Sequence, residues 1–286
     1  MAKRIDATRV KVDDPFHMIV PYVMPKRTEA EVSMTETFDV TKLMKYIDEK
    51  NDGIDKNQRL KLFHCICYAM GKTVYHRPLM NRFIAGRYFW QRKEISLSFV
   101  AKQVFSDGAE EKLMFMPINP EMTIKDISKT IIGDVSKARE DGKNDLDGTM
   151  RFVGSLPRFV LNILFWFIKI FEYFGIMPES LMRGDPNYST VLLSNLGSIG
   201  AGAPYHHLSN YGTCSMMITI GTMRKEMKKL ADGLEQERVF LDVTFTLDER
   251  IADGFYFAKS LRITKFLLEN PEYLSEPVSK EVPFTL

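Results

Sequence analysis

Between residues 239 and 247 the chain reads VFLDVTFTL. Val239, Leu241, Val243, Phe245 and Leu247 share one side of an extended strand, opposite Asp242, Thr244 and Thr246. A strand of this period has one apolar face, so it must lie in a sheet that another layer covers. That requirement excludes an all-helical fold. STVLLSNLG at 189–197 and SMMITIG at 215–221 are also strand-like, and Ile95, Leu97, Phe99 and Ala101 stand at strand spacing. Helical spacing takes over elsewhere. Leu43, Tyr46 and Ile47 follow Asp39, a candidate N-cap. Leu62, Phe63, Ile66 and Met70 predict a helix that opens near Gln58 and stops before Pro78, and Ile124, Ile127, Ile131 and Val135 predict another from Thr123. A last helix runs from Gly254 to about Asn270 and ends at Pro271. Helices against a mixed sheet make an α/β two-layer sandwich the expected fold class. Without a Pro/Gly/Ser-rich linker, the 286 residues are expected to form one main domain.

Lys and Arg number 39 against 37 Asp and Glu, a net charge of +2. Nothing in that balance drives the chain toward nucleic acid, and none is expected as a partner. Three cysteines cannot form a full disulfide framework, and Cys65-x-Cys67 lacks metal-site spacing, so no metal is expected. The opening MAKRIDATRVKVDDP has no apolar core, so it does not read as a secretory signal and a cytoplasmic location is the expectation. REDGKNDLDGTM at 139–150 reads as an exposed turn region. It leads into LPRFVLNILFWFIKIFEYFGIM at 156–177, the longest apolar stretch. On a helix, Arg158, Asn162, Lys169 and Glu172 share an arc of about 80° and the rest is apolar and aromatic. Polar residues interrupt this run too early for a comfortable membrane span of ~20 apolar residues. It fits a helix in the core or at a subunit interface, a helix lying in a membrane surface, or a lid over a lipophilic acyl chain.

LDERIADGFYFAKSLRITKFLLENPEYL at 247–274 resembles the closing segment of the catalytic acyltransferase core of 2-oxoacid dehydrogenase complexes, a fold shared with chloramphenicol acetyltransferase. In that family the segment reads Asp-His-Arg-x-x-Asp-Gly, then a helix ending in Leu-Glu-Asn-Pro. LLSNLGSIG at 192–200 resembles the family's Ser-Asn-Leu-Gly strand and turn, and SMMITIGTMRKE the strand after it. FDVTKLMKYIDEKN and LFHCICYAMGKTVYHRPLMNRFI resemble its first and second helices. The matches cover roughly 35–140 and 188–274, in family order. They imply an N-terminal arm at 1–34, an acyltransferase-like domain at 35–274 with an apolar helical insertion at about 145–187, and a tail at 275–286. Three departures stand out. Glu249 occupies the position of the family's catalytic histidine, no lipoyl or subunit-binding domain is expected ahead of the core, and the insertion replaces a short connection.

The resemblance implies an acyltransferase with acyl-coenzyme A as substrate; the second departure leaves the acceptor open as a thiol, amine or hydroxyl, with no covalent lipoyl group expected. It also implies a homotrimer, or a multiple of one, with sites between neighbouring subunits. The alternative is a non-catalytic trimeric scaffold or binding protein of the same fold. Such chemistry needs a base beside the attacking group and a donor beside the developing oxyanion. Ser194 matches the oxyanion serine; otherwise it is a strand-end serine satisfying local backbone. Asp253 matches an aspartate whose family role is structural, an ion pair with an arginine that holds the loop. Glu249 is either a base made competent by burial or the mark of a decayed site. His206 and His207, nine and ten residues past Gly197, offer a second base, although adjacent extended residues point apart and at most one would face the reacting atoms. His64 is expected as packed core, Cys65 and Cys67 as buried small hydrophobes, and Cys214 as a remote acyl-acceptor candidate. Membrane contact through 156–177 would add association with a membrane to the cytoplasmic expectation.

Overall fold

The computed structural model describes residues 4–102, 111–140, 153–229 and 233–283. The turn region expected at 139–150 lies, from 141 onward, outside the described residues. So do the first residues of the 145–187 segment and the end of the C-terminal tail.

Six strands form the main sheet: β2 (Glu31–Asp39), β5 (Ile95–Lys102), β6 (Glu111–Ile118), β7 (Val191–Asn195), β8 (Met216–Lys229) and β9 (Glu235–Asp248). Their order is β2-β9-β8-β7-β5-β6, and the sheet is mixed, with β7 parallel to both β5 and β8 and the other pairs antiparallel. The period read from 239–247 places Leu241, Val243, Phe245 and Leu247 on the buried face, joined by Leu193, Ile218 and Leu97 from neighbouring strands. Helices α2 (Thr41–Lys50), α3 (Leu62–His76), α4 (Ile124–Glu140) and α7 (Gly254–Glu269) cover that face, with α3 at the centre against α7, α4 and β5. This is the expected two-layer α/β sandwich. Burying one such apolar side chain contributes about 1.5–3 kcal/mol, so the helical layer is what makes the sheet stable.

The sheet's other face is polar yet covered. Thr244 pairs with Thr219 on one side and Thr35 on the other, and Thr219 pairs with Ser194, so these four form one row. Thr219 and Thr244 are buried because the segment after β7 lies over them, where the Thr244 hydroxyl donates to Ala203 O at 2.8 Å. The turn that starts this segment needs Gly197, since a Cβ there would stand 2.2 Å from Gly221 O on β8. Glycine in Ser-Asn-Leu-Gly is thus a close-approach residue.

A second, three-stranded sheet, β1-β4-β3, is built from β1 (Ala7–Val10), β3 (Arg82–Ala85) and β4 (Tyr88–Arg92). Arg92 ties it to the main body, donating to Tyr188 O and Thr213 O at 2.7 Å each. Burial pulls this guanidinium down to about 10. Between β1 and β2 lies a short helix, α1 (Pro15–Val23), with Pro15 in its first turn and Asp14 capping His17 N at 2.9 Å. The insertion supplies α5 (Arg158–Phe174) and α6 (Glu179–Met182).

Several local readings shift. The first helix takes Val40 as its N-cap, although Asp39 still accepts from the Thr41 N–H. The helix expected from Gln58 begins at Leu62, and β8 runs on to Lys229 rather than ending at 221. The α5 helix has no buried residue, so it is not a core helix of this chain, and Glu172 turns inward to Arg4 instead of joining the polar edge.

His64 is 2% exposed and its Nδ1 lies 2.8 Å from Ser128 Oγ, as expected of a packed core residue. Burial pulls its pKa down to about 4. The unfolded chain takes up this proton near 6.5 while the folded chain refuses it until about 4, so stability is full above 6.5 and falls as pH drops through that window. The loss reaches on the order of 3 kcal/mol at its acid end. Urea unfolding at pH 7 and pH 5 should show it, and His64→Asn, which keeps an acceptor near Ser128, should remove most of the difference.

Candidate active site

The residues expected to act lie in two groups at opposite ends of the central strands. Ser194 is near the C-terminal end of β7, half-buried, level with Thr219 of β8. At the other end, β9 runs out at Asp248, whose N–H donates to Ser215 O, and Glu249 follows in the turn. From Ser215 to Thr219 is four residues, a separation of about 13 Å along the strand at ~3.3 Å per residue. One chain therefore does not bring Ser194 and Glu249 together.

The Glu249 turn is held by buried charge. Asp248 is fully buried and pairs with Arg250 through two contacts of 2.7 Å, Nε to Oδ1 and Nη2 to Oδ2. Arg250 also donates to Met24 O at 3.0 Å, and Arg27 Nε lies 3.8 Å from Asp248 Oδ2. Arg27 reaches on to the loop before β8, donating to Gly212 O at 2.9 Å and to Ser209 O. Its burial lowers its affinity for a proton, and the charge of Asp248 opposes that. Between these anchors Glu249 projects into solvent, with its N–H on Ala30 O at 2.9 Å.

Asp253 is exposed, and its Oδ1 accepts the Tyr256 N–H at 2.7 Å as the N-cap of α7. The loop's ion pair belongs to Asp248 and Arg250 instead, because they face each other at the buried strand end. This corrects the ion-pair role that the resemblance implied for Asp253. His206 and His207 are both exposed, and their segment ends at Leu208, whose N–H donates to Glu31 Oε2 at 2.8 Å. Glu31 is in register with Asp248, so the histidines arrive at the Glu249 end of their own chain, away from Ser194. Cys214 is buried with Sγ 3.2 Å from Met216 O, and burial pushes the Cys65 thiol up to about 12. Among the described residues, no group of histidine, cysteine and acidic side chains could hold a metal ion.

Beside the Glu249 turn opens a cleft of about 690 Å³ that sequence reasoning missed. Its walls are α1, the β3–β4 turn, α5 and residues 209–212, with Arg250 lining it. Lys26, Arg27, Arg87 and Lys169 also face it, against one acid, Glu172, and among apolar and aromatic side chains such as Phe165 and Ile168. Burial raises the proton affinity of Glu172, and Arg4 at 3.5 Å opposes this. Arg250 carried a signal, as part of the matched closing segment. Arg27 carried none, because its partners are 182 or more residues away.

No family model matches the chain, and no curated protein matches it significantly. Solved structures do. A probable dihydrolipoamide acetyltransferase from Listeria monocytogenes is 17% identical, with a TM-score of 0.59 over 92% of this chain and 94% of that one. A dihydrolipoamide acetyltransferase from Azotobacter vinelandii is 14% identical, with a TM-score of 0.60 over 93% and 94%. A chloramphenicol acetyltransferase is 10% identical, with a TM-score of 0.52 over 92% and 99%. The sheet order, the helical layer and these likenesses give one conclusion: the chain has the α/β fold of acyltransferase catalytic cores, that of dihydrolipoamide acetyltransferases and of chloramphenicol acetyltransferase.

Proposed function

We propose that this protein is a coenzyme A-dependent acyltransferase that works as a trimer, or a multiple of trimers, with its sites between chains. The observation that carries the reading is a fold shared with acyltransferase cores over 92% of the chain, with a serine retained at the end of β7. In the A. vinelandii enzyme the histidine and asparagine named for the mechanism stand four residues apart, as Glu249 and Asp253 do here. Glu249, exposed in the single chain and made a competent base where the neighbouring chain covers it, or one of His206 and His207, takes the proton from the acceptor's thiol, amine or hydroxyl. The acceptor attacks the thioester carbonyl, Ser194 Oγ–H donates to the oxyanion, and coenzyme A leaves as the thiol. Asp253, as the cap of α7, positions the turn that carries Glu249. The cationic cleft beside that turn suits an anionic donor with an apolar acyl chain, since its volume is that of an ordinary ligand site.

A second reading, a non-catalytic trimeric scaffold, is favoured by the replacement of the family's histidine by an exposed glutamate. Thiol release from short- to long-chain acyl-coenzyme A, with candidate thiol, amine and alcohol acceptors, separates the two. The expected result is turnover above background that Glu249→Gln, or a single His206→Ala or His207→Ala change, abolishes. Neither turnover nor coenzyme A binding in any combination would leave the scaffold.

A further inference from the structure

We infer that α5 and α1 seat the protein on an anionic phospholipid surface. At 100° per residue α5 divides into three arcs. Leu164, Ile168, Phe171 and Glu172 face the protein. Arg158, Asn162 and Lys169 form a polar edge, and beyond it Phe159, Ile163, Trp166, Phe167 and Phe174 make an outward stripe, each between 45% and 67% exposed. The helix is anchored too closely to turn this stripe inward, since a Cβ at Gly86 of the β3–β4 turn would stand 1.9 Å from Tyr173 O. Across the cleft, α1 exposes Phe16, Ile19 and Val23, at 72%, 57% and 72%. Arg87, in the turn between the helices, stacks over Tyr22 of α1 at 4.7 Å.

Charge selects the occupant. The only acid of α5 is turned inward to Arg4, so the helix offers water two cations and no anion beside an aromatic stripe. Aromatic side chains below and cations at the edge are what a helix lying in an anionic headgroup layer presents. A second copy docked stripe to stripe about a two-fold axis would oppose like charges at Arg158 and Lys169. Among the described residues no helix is long and apolar enough to cross a membrane, so the contact is with the surface. The inference stands whether or not the chain transfers acyl groups.

Flotation of the full chain with phosphatidylcholine vesicles, with and without phosphatidylglycerol, tests it. Binding should rise on the order of ten-fold or more with the anionic lipid. Brominated lipid should quench Trp166, while Trp90, buried and donating to Ala85 O, serves as the internal reference. Phe159→Glu combined with Phe167→Glu should abolish binding while far-UV circular dichroism stays unchanged. Absence of flotation with both lipids would overturn the inference, as would flotation that survives the double variant. A sedimentation mass that falls in the double variant, without lipid quenching of Trp166, would assign the stripe to a subunit contact instead.

Discussion

Asp248→Asn should cost about 3–5 kcal/mol of stability although it is an isosteric change. The side chain keeps its shape, so no cavity opens. What disappears is the one negative charge between Arg27 and Arg250, both nearly inaccessible to water at 5% and 2% exposure. A buried guanidinium without its counter-charge carries the desolvation cost that the pair had offset. The contrast lies on the same strand. Asp242 pairs with Arg224 at the surface, with side-chain exposures of 35% and 42%, and Asp242→Asn should shift stability by no more than about 1 kcal/mol. Urea unfolding of the two variants reads the difference directly. Equal effects would mean that the strand-end pair is solvated. Combining Asp248→Asn with Arg250→Gln should cost less than the two single changes added together, because one orphaned cation is removed along with the anion. Since Asp248 and Arg250 flank Glu249, any loss of acyl transfer in Asp248→Asn should accompany the stability change, whereas Glu249→Gln, if the carboxylate is the base, should lose activity alone.

The layered architecture was legible because it rests on periodicity. β9 alternates strictly from Leu241 to Leu247, and the apolar stripes of α3 and α4 meet the sheet from one side, so the fold class followed from which residues had to be covered. Elements without a period were not legible. The α1 helix carries two prolines in nine residues and begins only because Asp14 and Pro15 start it. The β3 and β4 strands are four and five residues long, too short to show alternation. The outer part of β8, TMRKEMKK, has no apolar period; the resemblance carried the strand only to Glu226, and it runs on because Lys225 lies opposite Val239 and pairs with Glu237 at 2.9 Å. At the site, local signals survived and distant ones did not. Asp253 and Gly197 do local work, as a cap and a close approach, and both stood in matched segments. The Asp248–Arg250–Arg27 cluster joins residues 221 apart, and nothing in the run KRTEA around Arg27 marks it as a partner of a strand end.

Ser194→Ala should lower acyl transfer on the order of 100-fold, the effect of removing one oxyanion donor. Glu249→Gln should abolish it if the carboxylate is the base. Taken singly, neither result says where the two side chains meet, and the separation along β8 says they do not meet within one chain. In a closed ring each site would then take its serine from one chain and its base from the next. Co-expressing the two inactive variants in equal amounts tests this. Random assembly gives about a quarter of the sites both native residues, so mixed rings should recover up to roughly a quarter of wild-type turnover. Placing both substitutions on one chain and mixing it with wild type controls for subunit exchange, and should leave about the same quarter of sites intact. Recovery in both mixtures assigns the chemistry to the seam between chains. Recovery only with the doubly substituted chain, where the excess scales with intact wild-type subunits, would place Ser194 and Glu249 in one site of the same chain, against their separation along β8.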